Sequence, residues 1–593
     1  MINKVILILC AVLMLCTPHQ NETDQISNLK TFAKVYGYVK YFHPSDEAAN
    51  IDWNRFSAYG VSEIIRCKTQ AEVIEKLNTL FKPIAPSIVF SNGKSNYNTN
   101  VLIPPKKEAY TTTYWQHKGV SINMYSRYPN PYKSVRVNAL MKTTKLGETK
   151  ATKGKPLFDA SPALGAIIEE KIGNHIYCQI PLKLYLNNEG TYPKSETFNA
   201  LERKLNAIDV NASGIASRLG NIVNVYNVFQ HFHPYLKEAK VDWSKEFETA
   251  LERSFKDNTD LDHQITLQKF TATLKDGHTQ VSGVKTGKHQ PPINWEWIEN
   301  KLVITNVFDD TIALNIGDVV TKIEGIPVDE YFKEIKSTIA AGTEGWSNYL
   351  AQIYSILGKS YTELTIEVNS KTFTLKRDGI HSFGSTKIPI QKNLYKKLDH
   401  NIYYLNLTKT PMDTITKILP KLEKANGIIC DLRGYPRAND GFISHLLKEK
   451  DTSTSWMRIP KIIYPDQKNL VGYENSSWEL EAKKPYLGDK KIIFLANGRA
   501  ISYAESYLGF IKGYRLATIV GQPTAGTNGN AISFNLLGNY KVRWTGMKVV
   551  KHDGSQLYAI GILPDIYVNK TIEGVKSGED EFLNKAIEVI LER

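Results

Sequence analysis

The sequence predicts a multidomain α+β chain: a duplicated N-terminal helical unit, a β-rich region, a compact mixed unit and a C-terminal α/β layer. Three observations predict it. An aromatic helix ending in His-Pro occurs twice at a fixed spacing. Residues of about 100–200 tend to alternate in polarity. From about residue 390, short apolar runs alternate with amphipathic helices, the pattern of an α/β layer. The 593 residues, 42% apolar and 23% charged, have the composition of a globular chain long enough for several cores.

Lys4 precedes an apolar run from Val5 to Leu15, and polar sequence begins at Thr17. That order is the order of a secretory signal, so residues 1–20 are expected to be an export segment too short to span a bilayer. The mature chain is then expected in the periplasm or outer cell envelope, secreted or lipid-anchored, with Cys16 as the candidate lipidation site. No later run reaches about 18 apolar residues, so no transmembrane span is expected. Of the five cysteines, Cys67, Cys178 and Cys430 lie outside this segment, and there is no CxxC pair. This excludes a disulfide-built fold and argues against a thiolate zinc site. The net charge of +14 is dispersed and accompanies no nucleic-acid-binding motif. No nucleic-acid partner, metal or organic cofactor is expected.

Residues 25–95 read as a helical domain. Val35, Tyr38 and Phe42 recur at helical spacing until Pro44 stops the helix. Two further helices are expected from Trp53 to Ile65 and from Ala71 to Phe81, the second capped by Thr69. The pattern returns in 213–290. Lys34-Val-Tyr-Gly-Tyr-Val-Lys-Tyr-Phe-His-Pro44 matches Asn224-Val-Tyr-Asn-Val-Phe-Gln-His-Phe-His-Pro234, and Ile51-Asp-Trp53 matches Val241-Asp-Trp243, both 190 residues apart. His43 and His233 are read as packing residues at helix ends, not metal ligands. The intervening region, 100–200, is expected to be β-rich, with strands at Val135–Leu140 and Ile176–Leu182 and an exposed hairpin or loop from Lys142 to Lys155.

Residues 292–380 form the compact unit, with strand-like runs at Leu302–Val307, Val319–Ile323 and Leu364–Val368 and turns at Gly317 and Gly325. Residues 390–593 form the α/β layer. The run Ile428-Ile-Cys-Asp-Leu432 is continuously apolar enough for a strand covered on both faces, with Cys430 in the core. Further strands are expected at Asn401–Leu407, Ile492–Leu495 and Ala517–Val520, and helices at Met412–Leu422 and Tyr503–Ile511.

Two places could carry chemistry. In Phe494-Leu-Ala-Asn-Gly-Arg-Ala-Ile-Ser502-Tyr-Ala-Glu505, a buried strand ends in a glycine-containing loop and Ser502 opens a helix. Backbone N–H groups at such a helix start can stabilise an oxyanion, and a serine there can be a nucleophile once a base activates it. Ser-x-x-Glu is equally a capping box. In Leu274-Lys-Asp-Gly-His-Thr279, Gly277 permits a tight turn that could aim His278 into a cleft, and imidazole is suited to proton transfer near neutral pH.

Together with Gly317-Asp-Val-Val-Thr-Lys-Ile-Glu-Gly325, Asp431-Leu-Arg-Gly434, Gly521-Gln-Pro-Thr-Ala-Gly526 and Gly561-Ile-Leu-Pro-Asp565, these segments occur in an order that resembles the C-terminal-processing (tail-specific) serine peptidase superfamily, S41-like. The resemblance spans about 213–590 and is closer to the branch related to tricorn and the retinoid-binding-protein repeats than to the Ser-Lys branch. It implies a PDZ-like domain at 292–380 and a catalytic domain of the ClpP/crotonase-like type at 390–593. It further implies Ser502 as nucleophile, the backbone N–H of Tyr503 as one oxyanion donor, and a second donor near Gly434, from Gly434, Tyr435 or Arg437. The Ser-Lys branch would have its lysine 25 residues after the serine, where this chain has Thr527, so His278 takes the role of base. The glutamate often found in the tricorn-like branch to orient the histidine falls at Tyr558; Glu505 or Asp565 are alternatives for that support. The implied function is an exported serine endopeptidase or C-terminal-processing peptidase acting on peptides or proteins. The alternative is a catalytically inactive peptide- or ligand-binding protein on a peptidase scaffold.

Overall fold

The computed structural model describes residues 22, 24–120, 132–145, 148–211, 213–285, 287–380 and 394–592. The expected export segment lies outside the described residues, which include no helix long and apolar enough to cross a membrane.

The N-terminal helices run over residues 24–42, Trp53–Ile64 and Gln70–Phe81. Asp52 starts the second by accepting the N–H groups of Asn54 and Arg55, and Thr69 starts the third by accepting that of Glu72. Such caps contribute ~1 kcal/mol each. The second copy repeats the device. After the helix Ile215–Phe232, Asp242 caps Trp243–Lys256. The helix Asp260–Ala272, closed by a capping box at Thr259, then leads to the His278 turn.

The two helical units share one core, in which Phe32, Tyr36 and Phe56 join Val223, Phe229 and Phe247. Gly37 and Asn227, equivalent positions of the repeat, face one another: a Cβ on Gly37 would lie 1.9 Å from Asn227 Oδ1, and Asn227 donates to the Ala33 carbonyl at 2.9 Å. Any side chain at position 37 would force the two copies apart. His43 is fully buried and its ring nitrogens meet the hydroxyls of Ser45 and Ser87 at 2.9 and 3.0 Å. Among the described residues no cluster of His, Cys, Asp and Glu could hold a metal.

The β-rich region consists of short antiparallel sheets. The run expected as one strand from Val135 to Leu140 breaks in two. Lys133–Arg136 ends in a turn where Asn138 takes φ 63, and Leu140–Lys145 then pairs with Glu148–Lys153. Asparagine tolerates this left-handed conformation better than most residues, and its polarity argued nothing against a strand. The region also joins the C-terminal part: Trp115–Lys118 pairs with Met457–Ile462 in a five-stranded sheet.

Residues 293–376, expected to be PDZ-like, carry a six-stranded antiparallel sheet with the helices Val328–Ser337 and Glu344–Ile356 around a core of their own. Behind it lies the α/β layer. Strands Ile402–Asn406, Gly427–Asp431, Lys491–Ala496, Thr518–Gly521 and Ile566–Tyr567 run parallel in that order, with Tyr395–Lys397 antiparallel at one edge. Successive strand residues point to opposite faces. Ile428 and Cys430 pack with the helices Met412–Glu423 and Tyr503–Gly513, while Ile429 packs with Glu581–Leu591 on the other face. Both faces are therefore dry, which is why these strands read as unbroken apolar runs.

One small sheet positions the site. Gln280–Ser282, just after His278, pairs with Lys541–Thr545, which pairs with Ala531–Asn535. Through it the second helical unit is bonded to the C-terminal part of the chain.

Candidate active site

Ser502 follows the central strand Lys491–Ala496 and caps the helix Tyr503–Gly513. Crevices beyond the carboxyl ends of parallel strands are where open α/β sheets bind ligands. Ser502 holds φ 59 and ψ −110. For a non-glycine residue this conformation costs ~1–3 kcal/mol and persists only where the surroundings over-determine it. Here they do. The Ser502 N–H donates to the Thr527 carbonyl at 2.9 Å and to the Glu505 carboxylate at 3.3 Å. The Tyr503 N–H sits at the first helical position, where no carbonyl one turn earlier exists to accept it.

Glu505 is fully buried and fastens the surrounding loop. Its carboxylate accepts from the Thr524 hydroxyl (2.5 Å), Gly526 N–H (2.7 Å) and Thr527 N–H (2.9 Å) as well as from Ser502. Burial pushes its pKa up to about 7 against these donors, which favour the ionised form. Glu505 therefore supports the serine's side of the site.

Thr527 joins that side to the histidine turn. Its carbonyl holds Ser502, and its hydroxyl accepts the Gly277 N–H at 2.8 Å. A Cβ on Gly277 would lie 2.8 Å from the same hydroxyl, so the close approach requires glycine. The segments carrying Ser502 and His278, 224 residues apart in the chain, are thus bonded to one residue. It stands 25 residues after Ser502.

The His278 side chain is half-buried. Desolvation brings its pKa down to about 4, with the negative charge of Asp276 opposing and the positive charge of Arg543 assisting. Its Nδ1 lies 3.0 Å from the Thr545 hydroxyl, and that hydroxyl donates to Asp276 Oδ1 at 2.7 Å. Asp276, fully buried, also accepts from the N–H groups of Thr545 (2.8 Å) and His278 (3.1 Å) and the hydroxyl of Thr279 (3.1 Å). Burial alone would raise its pKa; hydrogen bonding and charge from His233, the charge of His278 and the Thr545 hydroxyl outweigh it and hold Asp276 well below the usual carboxylate range.

Of the residues considered for orienting the histidine, Glu505 binds the Ser502 loop, and Tyr558 and Asp565 are bonded elsewhere. The Tyr558 hydroxyl is spent on the Leu274 carbonyl, and its ring stacks on Tyr235 at 4.3 Å. Asp565 pairs with Lys512 and accepts the Ile519 N–H. Asp276 stands in the histidine's own motif, so half of its support was visible in the sequence. Thr545 carried no signal, since nothing local reveals that the strand Lys541–Thr545 meets the turn at 276–279.

The Asp431-Leu-Arg-Gly434 motif works as an anchor. Arg433 grips Asp431 (3.0 and 2.7 Å) and Asp580 (2.8 and 2.8 Å), while the Tyr404 hydroxyl donates to Asp431 at 2.6 Å. The anchor holds the segment after Gly434 beside the serine. The Tyr435 ring lies 5.7 Å from that of Tyr503. Of the three residues considered for a second oxyanion donor, Arg437 has already committed its N–H to the Leu407 carbonyl at 3.0 Å. Gly434 and Tyr435 remain. Opposite, the PDZ-like unit abuts the same loops: a Cβ on Gly498 would lie 2.4 Å from the backbone of Gly345.

Comparison with known proteins places this arrangement. The model of peptidase family S41 matches residues 401–568. The C-terminal part is an S41-type peptidase domain. A carboxy-terminal-processing protease of Bartonella bacilliformis is 23% identical over 312 residues, covering 49% of this chain and 63% of the relative. A probable CtpA-like serine protease of Staphylococcus aureus is 23% identical over 377 residues, covering 60% and 65% respectively. The chain thus spans less than two thirds of the length of these relatives. In fold, it resembles mature CPAF complexed with lactacystin, at a TM-score of 0.51 and 13% identity over 63% of this chain and 98% of that one. The ClpP/crotonase-like type expected for residues 390–593 is corrected: the family model matching residues 401–568 is that of peptidase family S41, a separate grouping. The strand–helix alternation that suggested it specifies an α/β layer and no more.

Proposed function

We propose that this chain is a serine peptidase of the S41 type, with Ser502 as nucleophile and His278 as general base. The carrying observation is Thr527, whose carbonyl and hydroxyl bind the Ser502 and Gly277 backbones at 2.9 and 2.8 Å. His278 takes the Ser502 hydroxyl proton, and Ser502 attacks the scissile carbonyl. The Tyr503 N–H and an N–H of Gly434 or Tyr435 hold the resulting oxyanion. His278 then protonates the leaving amine, and water repeats the sequence on the acyl-enzyme. A threonine at position 527 supports the histidine-based, tricorn-like branch, because it cannot serve as a lysine would. Peptides or proteins are the substrates, held between the S41 segment and the PDZ-like unit, and the chain acts outside the cytoplasm after export, in the periplasm or outer envelope, freely or on a lipid anchor. The test is labelling by a fluorophosphonate and turnover of a peptide library. Both should occur in the full chain and disappear in Ser502→Ala and His278→Ala; unchanged turnover in either variant refutes the assignment.

One observation favours a second reading, a peptide-binding protein without turnover. Tyr435, 57% exposed, sets its ring 5.7 Å from that of Tyr503, the residue after Ser502, where it offers an aromatic surface to a bound peptide. Absence of label in the wild-type chain, with retained peptide binding, would select that reading.

A further inference from the structure

The mechanism above needs one nitrogen of His278 to be bare, and nothing in it says which. A neutral imidazole carries its proton on one ring nitrogen and accepts on the other, the choice being set by the hydrogen bond that the protonated nitrogen makes. The neighbours of His278 leave little freedom. Asp276 has only acceptor oxygens when ionised, and the Thr545 hydroxyl spends its single proton on Asp276 Oδ1 at 2.7 Å. What that hydroxyl offers the ring, 3.0 Å away at Nδ1, is a lone pair. The group on Nδ1 must then be an N–H donor.

We infer that Thr545 and Asp276 together act as a positioning relay that fixes the proton of His278 on Nδ1 and so leaves Nε2 bare to receive the proton of Ser502. The inference rests on the proposed role of His278 as base and deepens it. No proton travels along the relay. During attack the Ser502 O–H bond breaks and an Nε2–H bond forms; the Nδ1 proton stays on Nδ1, and the Thr545 proton stays on Thr545. The imidazolium formed then faces the Asp276 charge through one hydroxyl, where a more usual triad would set the carboxylate in direct contact.

Three features suit the pair to this task. Asp276 and Thr545 are both fully buried, so water does not compete for their hydrogen bonds. Asp276 is also held from behind: the second repeat's His233 accepts the Tyr235 N–H on Nδ1 at 3.3 Å, which leaves its Nε2 toward Asp276 Oδ2 at 3.6 Å. Finally, Thr545 sits on the strand that pairs with Gln280–Ser282, so the hydroxyl's place relative to the ring is set by a sheet ladder. The titratable and charged groups around the relay are Asp276 and Arg543 near His278, with His233 and the neutral Tyr235 and Tyr558 near Asp276.

The experiment uses the full chain and four variants: Thr545→Val, Thr545→Ser, Asp276→Asn and His278→Ala. Fluorophosphonate labelling rates are measured together with the ring-nitrogen spectrum of histidines labelled with nitrogen-15. Valine keeps the shape of threonine and removes the lone pair. Labelling should slow about 10–100-fold in Thr545→Val, a part of the ~100–10,000-fold that general-base catalysis typically contributes. It should return in Thr545→Ser, and the His278 signal should lose its Nδ1-protonated signature in Thr545→Val alone of that pair. Should Asp276→Asn fail to fold, the threonine pair carries the test unaided. Wild-type labelling and an unchanged tautomer in Thr545→Val, with His278→Ala unlabelled, overturn the relay and leave the base in place. Wild-type labelling in His278→Ala, or none in the wild-type chain, overturns both.

Discussion

Removing the hydroxyl of Thr527 tests the joint on which the site depends. In Thr527→Val the shape of the side chain is kept, the carbonyl still holds Ser502, and the N–H still reaches Glu505. Only the acceptor of the Gly277 N–H, 2.8 Å away, is lost. Thr527 is 2% exposed, so water cannot readily replace it. A buried N–H left without a partner costs ~1–3 kcal/mol, and the loss falls on the turn that carries His278. Part of it should appear as lower stability and part as a turn that drifts from Ser502. Misplacing a catalytic group by as little as 1 Å can cost on the order of 100-fold. The expected outcome is thermal stability lowered by ~1–3 kcal/mol and fluorophosphonate labelling slowed about 10–100-fold, with Thr527→Ser close to wild type on both measures. Labelling at the wild-type rate in a folded Thr527→Val chain would refute the argument that this hydroxyl aligns the two halves of the site.

Three other outcomes are expected. Arg433→Met should destabilise the S41 segment by ~3–5 kcal/mol in urea unfolding, because it strands the buried Asp431 and Asp580 without their cation; a change below ~1 kcal/mol would mean that water solvates them. Glu505→Ala should cost ~2–5 kcal/mol and abolish labelling, since Gly526 and Thr527 lose their acceptor and Ser502 one of two; normal labelling would show that the serine holds its conformation alone. Acid should unfold the chain through its buried neutral histidines. His43 and His117 are brought by burial from 6.5 down to about 3, and His278 to about 4. The unfolded chain binds these protons first, so the stability they contribute is whole above pH 6.5 and is lost as pH falls from 6.5 towards 3, by roughly 4–5 kcal/mol for His43 alone. Flat stability from pH 7 to 4 would contradict it.

Much of the layout was legible because its signals are local. Thr69 announces a helix start through a side chain acting on the next turn, and the structure starts a helix there. The strands around Cys430 and Phe494 are apolar without alternation because helices cover both faces. Ser502 and His278 stood out through residue type and motif order. What was not legible depends on distant pairing. Nothing near Gly37 says that its empty face receives Asn227. Trp115–Lys118 looks like any short strand until Met457–Ile462 lies beside it. Thr545 is one more residue of an alternating strand, and its chemistry exists only once Gln280 pairs with Arg543. The expected ClpP/crotonase type failed differently: alternation of strands and helices fixes layers, while many families build the same layers.

The segment that matches the S41 model begins at residue 401, and His278 stands 123 residues before it. The proposed nucleophile and base are therefore rooted in separate cores, and their segments are joined along a seam closed by a three-stranded ladder and one threonine. A fragment cut to residues 401–568 would own a serine with no proton acceptor, however well it folded. On the proposed mechanism, competence belongs to the seam, so a force that parts the helical core from the α/β layer would silence the reaction without touching Ser502 or His278.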